Sequence, residues 1–238
     1  MARMITAVKY HIRRIVALLL IVLLLRALLH DDHSAPSEPE TPTGETTSAQ
    51  AEPRRHAAAT IGASRPEEMV VPAIGLRATF EGADCRVVNG AIDPKTMDKA
   101  CALTGEGYPY SLPGTDSQDI VVVAGHTGAG VSAVFNKLYD GKNERHNIGI
   151  GEHLYLRTAS SGDEWLQYRA SDLHDPQKGT LAADTSIWGT GPMPGRLLTI
   201  SCIQPANPLA DSVRNAVVGW QLVGTVTGEQ VEKAFQPR

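Results

Sequence analysis

The sequence predicts a mostly-β fold, a single closed β-barrel with short helices in its connections, preceded by one N-terminal transmembrane helix. Three observations lead to this prediction. An unbroken apolar run lies near the N-terminus, and a tract rich in proline, serine, threonine and glutamate follows it. From Met69 onward, short segments rich in β-branched residues alternate with clusters of glycine, proline, asparagine and aspartate, a pattern typical of an all-β domain.

The average composition hides this organisation. A chain of 238 residues with a net charge of −4 and 42% hydrophobic residues has the composition of an ordinary soluble protein, and that charge excludes a strongly basic nucleic-acid binder. The charge is sorted along the chain, however. Residues 1–30 carry five cations and no acid, whereas residues 31–68 carry eight acids and three arginines. The chain therefore consists of a basic head, an acidic linker and a mildly acidic body.

Residues 1–30 are interpreted as a cytoplasmic tip and a transmembrane signal anchor. A helix over residues 12–29 would be about 27 Å long at about 1.5 Å per residue, close to the roughly 30 Å of a hydrocarbon core. Arg13 and Arg14 directly precede the apolar run, so the positive-inside rule keeps the N-terminus in the cytoplasm and places the rest outside the cell membrane. A cleaved signal peptide and a buried core helix are the alternatives.

Residues 31–68 are expected to form a disordered stalk. They include five prolines and no aromatic residue, and Ile61 is their only large aliphatic side chain. Such a segment buries too little apolar surface to offset the entropy of ordering. The stalk would hold the body close to the membrane.

Residues 69–238 are expected to form the barrel, since their apolar segments are short and separated by turn residues. The predicted strands cover 69–80, 119–126, 152–158, 164–171, 196–203 and 215–227. The predicted helical segments cover 94–103, 131–140 and a turn near 180–187.

Three cysteines are too few for a disulfide scaffold, and they lack the paired spacing of a zinc ribbon. Cys85 and Cys101 flank a turn-rich stretch, and they form either a local disulfide or two reduced, buried residues. In either case Cys202 is left over. A free thiol outside the cytoplasm calls for a functional explanation.

Cys202 and His126 stand in matching contexts. Cys202 ends the apolar strand LLTISC, and His126 ends VVVAGH directly after a glycine. Thiolate chemistry needs positive charge nearby, and an anionic tetrahedral intermediate needs hydrogen-bond donors. Arg214, at the start of the next strand, is the candidate for the positive charge and the hydrogen-bond donors.

In these three segments the chain resembles the sortases, the membrane-anchored cysteine transpeptidases of Gram-positive bacteria. The family's strand ending in Gly-His, its T-L-x-T-C strand and the arginine on the following strand are similar to VVVAGHT (121–127), LTISC (198–202) and VRNAVVGWQL (213–222). Further similar segments are VPAIGLRATF (71–80), SAVFNKLYD (132–140) and GEHLYLRT (151–158). The first Thr-Leu of the motif is replaced by Leu198 and Thr199, and Ser201 replaces the threonine before the cysteine. The resemblance is greatest to the actinobacterial class E or F sortases.

The resemblance implies a sortase-like barrel and a cysteine transpeptidase mechanism. Cys202 would be the nucleophile that attacks the Thr–Gly carbonyl of an LPxTG-like sorting signal, and His126 the general acid and base. Arg214 would stabilise the oxyanion or the substrate. The partners would be a surface-protein substrate and the amine of a peptidoglycan precursor or a pilin, without a metal, an organic cofactor or nucleic acid.

Three other interpretations remain open. An L,D-transpeptidase-like cell-wall enzyme also uses cysteine and histidine, but it carries both in one short His…Ser-x-Gly-Cys-Arg run, whereas His126 and Cys202 lie 76 residues apart here. A non-enzymatic anchored β-barrel interaction module would bury an inert Cys202. A metal site would use His126, His146 and His153, whose spacing matches no common ligand pattern.

Overall fold

The computed structural model describes residues 59–105 and 107–236. Its strands are β1 (Pro66–Val71), β2 (Leu76–Thr79), β3 (Arg86–Val88), β4 (Ala91–Asp93), β5 (Cys101–Ala102), β6 (Val121–Ala124), β7 (Tyr139–Asp140), β8 (Arg145–His146), β9 (His153–Thr158), β10 (Glu164–His174), β11 (Arg196–Cys202) and β12 (Asn215–Thr227). Its α-helices are α1 (Lys178–Leu181), α2 (Thr185–Trp188) and α3 (Gly228–Phe235). The prediction of a mostly-β fold with few helices is confirmed.

Eight strands form one curled sheet in the order β2-β1-β9-β10-β12-β11-β6-β5. Within the described residues the two edge strands meet at one isolated parallel bridge, between Phe80 and Ala100. The prediction of a closed barrel is therefore wrong, because this half-barrel has no continuous ladder across its seam. The physical reason is the length of its edges, since β2 has 4 residues and β5 only 2.

The central strands bury both of their faces. Val121 and Val123 of β6 pack into the main core inside the curl, together with Trp220 and Phe135. Their neighbour Val122 packs into a second core on the other face, because successive side chains of a strand point to opposite sides. Burial on both faces explains why β6 is a continuous apolar run in the sequence. β11 is buried in the same way, although Thr199 and Ser201 interrupt its apolar residues. The second core is covered by the β3–β4 hairpin and the α1–α2 segment, and this cover shapes the candidate site.

The predicted helices at 94–103 and 131–140 are not formed. Residues 131–140 instead make successive turns, because neighbouring loops accept their backbone hydrogens. The N–H of Val134 donates to Met97 O at 2.8 Å, and that of Phe135 donates to His126 O at 3.0 Å. Phe135 and Leu138 are nevertheless buried, as their spacing suggested. The predicted turn near 180–187 corresponds to α1 and α2.

Helix α3 was not expected from the sequence. Thr227 caps it, and its hydroxyl accepts from the Gln230 N–H while the Gln230 side chain accepts from the Thr227 N–H. This reciprocal capping box is a recognisable start signal for a helix.

The folded body begins before residue 69. β1 begins at Pro66, and Ile61 is only 2% exposed. Backbone contacts anchor Ile61, whose N–H donates to Thr115 Oγ1 at 2.9 Å. The predicted end of the stalk at residue 68 is therefore too late. The predicted anchor and residues 31–58 of the stalk lie outside the described residues, and no helix in the described part is long and apolar enough to cross a membrane.

Candidate active site

The ends of two adjacent strands bring Cys202 and His126 to one edge of the sheet. β6 and β11 are parallel, and Ala124 of β6 pairs with Ile200 of β11. Two residues further along each strand lie His126 and Cys202. The N–H of Gly125 extends the ladder by donating to Ile200 O at 3.2 Å. The register of the parallel pair thus places the thiol and the imidazole at equivalent positions, as the sequence motifs predicted.

The imidazole of His126 is held from the β4 side. Its Nε2 lies 2.7 Å from the carbonyl oxygen of Pro94, and 3.9 Å from a carboxylate oxygen of Asp93. A carbonyl can only accept, so Nε2 carries a hydrogen and donates it to Pro94. In the neutral ring Nδ1 is then the nitrogen with a lone pair, which is the form a general base requires.

Cys202 is free and partly exposed. Its carbonyl oxygen accepts from the Thr127 hydroxyl at 2.8 Å, and the Gln204 side chain donates to that same hydroxyl at 3.1 Å. These bonds join the residue after the histidine to the loop after the cysteine. They hold the thiol and the imidazole on one rigid frame.

Cys202 and His126 both line a groove of about 560 Å³. One wall is the β3–β4 hairpin and another is the α1–α2 segment. Tyr110 stacks on Trp188 in the groove lining, with ring centroids 5.3 Å apart. The groove is therefore largely apolar and rich in aromatic surface, and its polar lining includes Asp93 and Lys178 as well as Cys202 and His126. This composition suits an extended peptide with apolar side chains.

A disulfide between Cys85 and Cys101 ties down the hairpin wall, with an S–S distance of 2.09 Å. The bond closes a loop that contains all of β3 and β4. Of the two alternatives that the sequence left open, the structure has the disulfide.

Cys202 also borders a second, polar pocket of about 380 Å³. Its polar lining comes from Thr127, Asn136, Asp140 and Gln204. Hydrogen bonds from Asn143 lower the pKa of the Asp140 carboxyl, which is therefore an anion at neutral pH. Cys202 thus lies between an apolar groove and a polar pocket lined by the Asp140 carboxylate, which lies 3.9 Å from the Arg145 guanidinium.

Arg214 does not line the groove with the other two predicted residues. Its guanidinium donates to Asp175 at 2.8 Å and to Glu144 at 2.9 Å, and it lines a separate pocket. Of the three residues expected to converge in one groove, only Cys202 and His126 do so. Arg214 is paired across the ladder with Ile203, whose N–H donates to its carbonyl at 3.0 Å, so its side chain leaves the strand on the face opposite to that of Cys202.

Asn215 lies where the sequence placed Arg214. It is the Cα partner of Cys202, and its side chain lines the same groove. Sequence reasoning missed it because it depended on a one-residue register. The available signal was the start of the apolar strand at Asn215. Counting the alternation of side chains from that residue would have placed Asn215 and Arg214 on opposite faces.

The three-histidine metal hypothesis finds no support in the geometry. Within the part of the chain that the structure describes, no group of three or more His, Cys, Asp or Glu side chains could hold a metal ion. His146 is half-buried against the carbonyl of His174, and its burial lowers its pKa.

No protein-family model matches the chain, and no curated protein matches it either. Among solved structures, it is similar to sortase A from Listeria monocytogenes (15% identity, 74% of this chain and 100% of that one, TM-score 0.46). It is also similar to sortase C-3 from Streptococcus pneumoniae (14% identity, 80% and 74%, TM-score 0.47). A third is sortase E1 from Streptomyces coelicolor, solved with a tripeptide in its active site (13% identity, 72% and 96%, TM-score 0.48).

Proposed function

We propose that this chain is a sortase-type cysteine transpeptidase, which cleaves a peptide through an acyl-enzyme on Cys202 and transfers the acyl group to an amine. The observation that carries the proposal is the placement of a free thiol and an imidazole at matched ends of two parallel strands, on the rim of one apolar groove. Nucleophile and base on adjacent rigid elements are the arrangement that covalent catalysis requires.

The chemistry begins with transfer of the Cys202 proton to Nδ1 of His126. The sulfur then forms a bond to the peptide carbonyl carbon, and the tetrahedral intermediate collapses to a thioester as the C–N bond breaks. The leaving amine takes its proton from the His126 imidazolium. An incoming amine reverses these roles: it gives a proton to His126, attacks the thioester and releases the Cys202 thiolate.

The two cavities beside Cys202 suit the two substrates of such a transfer. We assign the apolar, aromatic groove to the acyl donor, an LPxTG-like sorting signal of a surface protein. The polar pocket with the Asp140 carboxylate suits a cationic acceptor, the amine of a peptidoglycan precursor or of a pilin. A single-site hydrolase would need only the first cavity, because water requires no pocket of this size.

We also propose where in the cell the enzyme is located. Residues 1–30 would anchor it in the cell membrane of a Gram-positive bacterium, with the catalytic body on the outer, cell-wall side. A disulfide between Cys85 and Cys101 agrees with that location, since disulfides persist in oxidising compartments. A tether would raise the effective concentration of enzyme near membrane-held substrates.

The test is a product analysis with the full-length chain in detergent, using a panel of LPxTG-like peptides with and without an amine such as triglycine. The wild type is expected to give a transpeptidation product with the amine and a slower hydrolysis product without it. Cys202→Ala should give neither product. Full activity of Cys202→Ala would contradict the proposal, and so would a wild-type thiol that a thiol-alkylating reagent cannot modify in the folded chain, as expected for a non-enzymatic module.

A further inference from the structure

Asn215 faces Cys202 across the β11–β12 ladder. It is the first residue of β12 and the Cα partner of Cys202. Its N–H donates away from β11, to Pro176 O at 2.9 Å, whereas the adjacent Arg214 carbonyl bonds to β11. Cys202 and Asn215 are therefore a non-hydrogen-bonded antiparallel pair, the kind in which side chains approach most closely, with Cβ atoms about 4.5–5.5 Å apart.

The carboxamide of Asn215 is held in a fixed orientation. Its Nδ2 donates to the carbonyl oxygen of Ser201, the residue before the cysteine, at 3.0 Å. A primary amide has two N–H groups, so this bond uses one of them and fixes the direction of the other. The side chain lines the groove beside the thiol, where a peptide carbonyl that reacts with Cys202 would lie. A donor held in place before the reaction is what oxyanion stabilisation requires.

Arg214 is committed elsewhere. Its two ion pairs, with Asp175 and Glu144, connect β12 to the segment before α1 and to the β7–β8 hairpin. Its side chain leaves the strand on the face opposite to that of Asn215, because neighbouring residues of a strand alternate. Bringing the guanidinium to the groove would break both ion pairs and move it across the strand.

We infer that Asn215, and not Arg214, donates the hydrogen bond that stabilises the oxyanion formed at Cys202. This inference rests on the proposed function in so far as it assumes acyl chemistry at that thiol. When Sγ bonds to the carbonyl carbon, the C=O π electrons move to the oxygen, and the second Nδ2–H of Asn215 donates to that oxyanion. As the intermediate collapses, the electron pair returns to the carbonyl and the leaving group departs. Arg214 stabilises the surrounding fold.

The test uses an activated ester, p-nitrophenyl acetate, which acylates a thiol through an oxyanion but needs no sorting signal. Acylation of the full-length chain is monitored as the release of p-nitrophenolate from the ester, with Cys202→Ala as the background. Alkylation of Cys202 by iodoacetamide is measured in parallel, since that displacement forms no oxyanion. The variants are Asn215→Ala, Asn215→Asp, Asn215→Gln and Arg214→Ala, with Asn207→Ala in the exposed loop before β12 as the matched control.

Asn215→Ala is expected to acylate at least about 10-fold more slowly, towards the roughly 10²–10³-fold that loss of one oxyanion donor costs, with alkylation unchanged. Asn215→Asp should also acylate more slowly, and its carboxylate should slow alkylation as well, because a negative charge beside Cys202 disfavours the thiolate. Asn215→Gln, which keeps a donor, should recover part of the rate. Arg214→Ala should lower the melting temperature and leave the acylation rate near that of the wild type.

Wild-type acylation rates in both Asn215→Ala and Asn215→Asp would overturn the inference. So would a parallel fall in the alkylation rate of Asn215→Ala, which would show that Asn215 acts on the thiol itself, or a wild type that is alkylated but never acylated by the ester. If the ester reaction depends on Asn215 while no peptide of the panel is transferred, the inference stands and the proposed function fails.

Discussion

Gly125 lies so close to Phe135 that a methyl group on Gly125 would stand 2.6 Å from a ring carbon of that buried side chain. Val134 is equally close to the same point, at 2.7 Å. Gly125 directly precedes His126, so the turns of residues 131–140 pack against the backbone that carries the imidazole. The absence of a side chain at residue 125 is therefore a structural requirement of the site.

Gly125→Ala is expected to lower both stability and activity. The added methyl must displace Phe135 or shift His126, and overpacking of this kind costs about 1–3 kcal/mol. We expect a lower melting temperature and a kcat that falls more than KM rises. Gly82→Ala is the matched control, since a methyl there meets nothing within 4 Å. Equal kcat and melting temperature in the two variants would contradict this packing argument.

His126→Ala is expected to lower the transpeptidation rate by about 10²–10⁴-fold, the usual contribution of a general acid and base. Iodoacetamide should still modify Cys202 in that variant, because the thiol remains exposed. His153→Ala, at the start of β9 and away from the groove, provides the control and should leave the rate near that of the wild type. Retention of full transpeptidation in His126→Ala would remove the imidazole from the mechanism.

The disulfide is expected to stabilise the hairpin wall of the groove. Cys85 and Cys101 are separated by 16 residues, and a crosslink closing a loop of that length contributes about 3 kcal/mol in the chain-entropy model. Cys85→Ala/Cys101→Ala should therefore unfold at lower denaturant concentration. Its KM for peptide should rise more than its kcat falls, because the hairpin lines the groove whereas the thiol stands on the sheet. Reduction of the wild type should reproduce both effects, and an unchanged denaturation midpoint would contradict the prediction.

Asp172 and Arg196 form a bidentate ion pair beneath β12, with both N–O distances 2.8 Å and Arg196 only 6% exposed. Gly219 makes room for it, since a methyl there would clash with the Asp172 carboxylate. Burial raises the pKa of Asp172, but hydrogen bonds from Arg196, Ser171 and His174 outweigh burial and leave the pKa well below its usual value. The pair should therefore stabilise the protein at neutral pH.

A carboxyl with a lowered folded-state pKa stabilises the fold above its unfolded pKa of about 3.9, and that stability is lost as the pH falls towards the folded-state value. Asp172→Asn should accordingly be less stable at pH 7 by about 3 kcal/mol, because Arg196 is left without its partner. The difference between the two proteins should shrink below about pH 4. Denaturant unfolding across pH 2–7 measures this, with exposed Asp98→Asn as control. A pH-independent difference would contradict the assignment.

The placement of Cys202 and His126 could be predicted from the sequence because each ends a largely apolar strand. A strand buried on both faces is visible in the sequence as such a run, and its end marks the sheet edge. That the two strands are neighbours was implied by the resemblance alone. The third residue was misplaced because the side-chain direction on β12 depends on register, and a slip of one residue exchanges Asn215 for Arg214.

A closed sheet and helices at 94–103 and 131–140 were also wrongly predicted from the sequence. The two edge strands are too short to pair, and strand length depends on how the flanking loops are held. In residues 131–140, the helical spacing of Val131, Val134, Phe135 and Leu138 indicated one buried face. Phe135 and Leu138 are buried and Val134 is partly buried, whereas Val131 is 59% exposed. The N–H groups of Val134 and Phe135 donate to the carbonyls of Met97 and His126, and these bonds favour turns over a helix.

The most direct test for an acyl-enzyme on Cys202 is intact-mass spectrometry of the full-length chain after brief mixing with an LPxTG-like peptide in the absence of an amine. If Cys202 is the nucleophile, the chain should gain an adduct equal in mass to the N-terminal acyl fragment. The adduct should map to Cys202, disappear on addition of triglycine and be absent from Cys202→Ala. An adduct of the same mass on Cys202→Ala, or peptide cleavage by that variant at the wild-type rate, would contradict the claim that this thiol is the nucleophile.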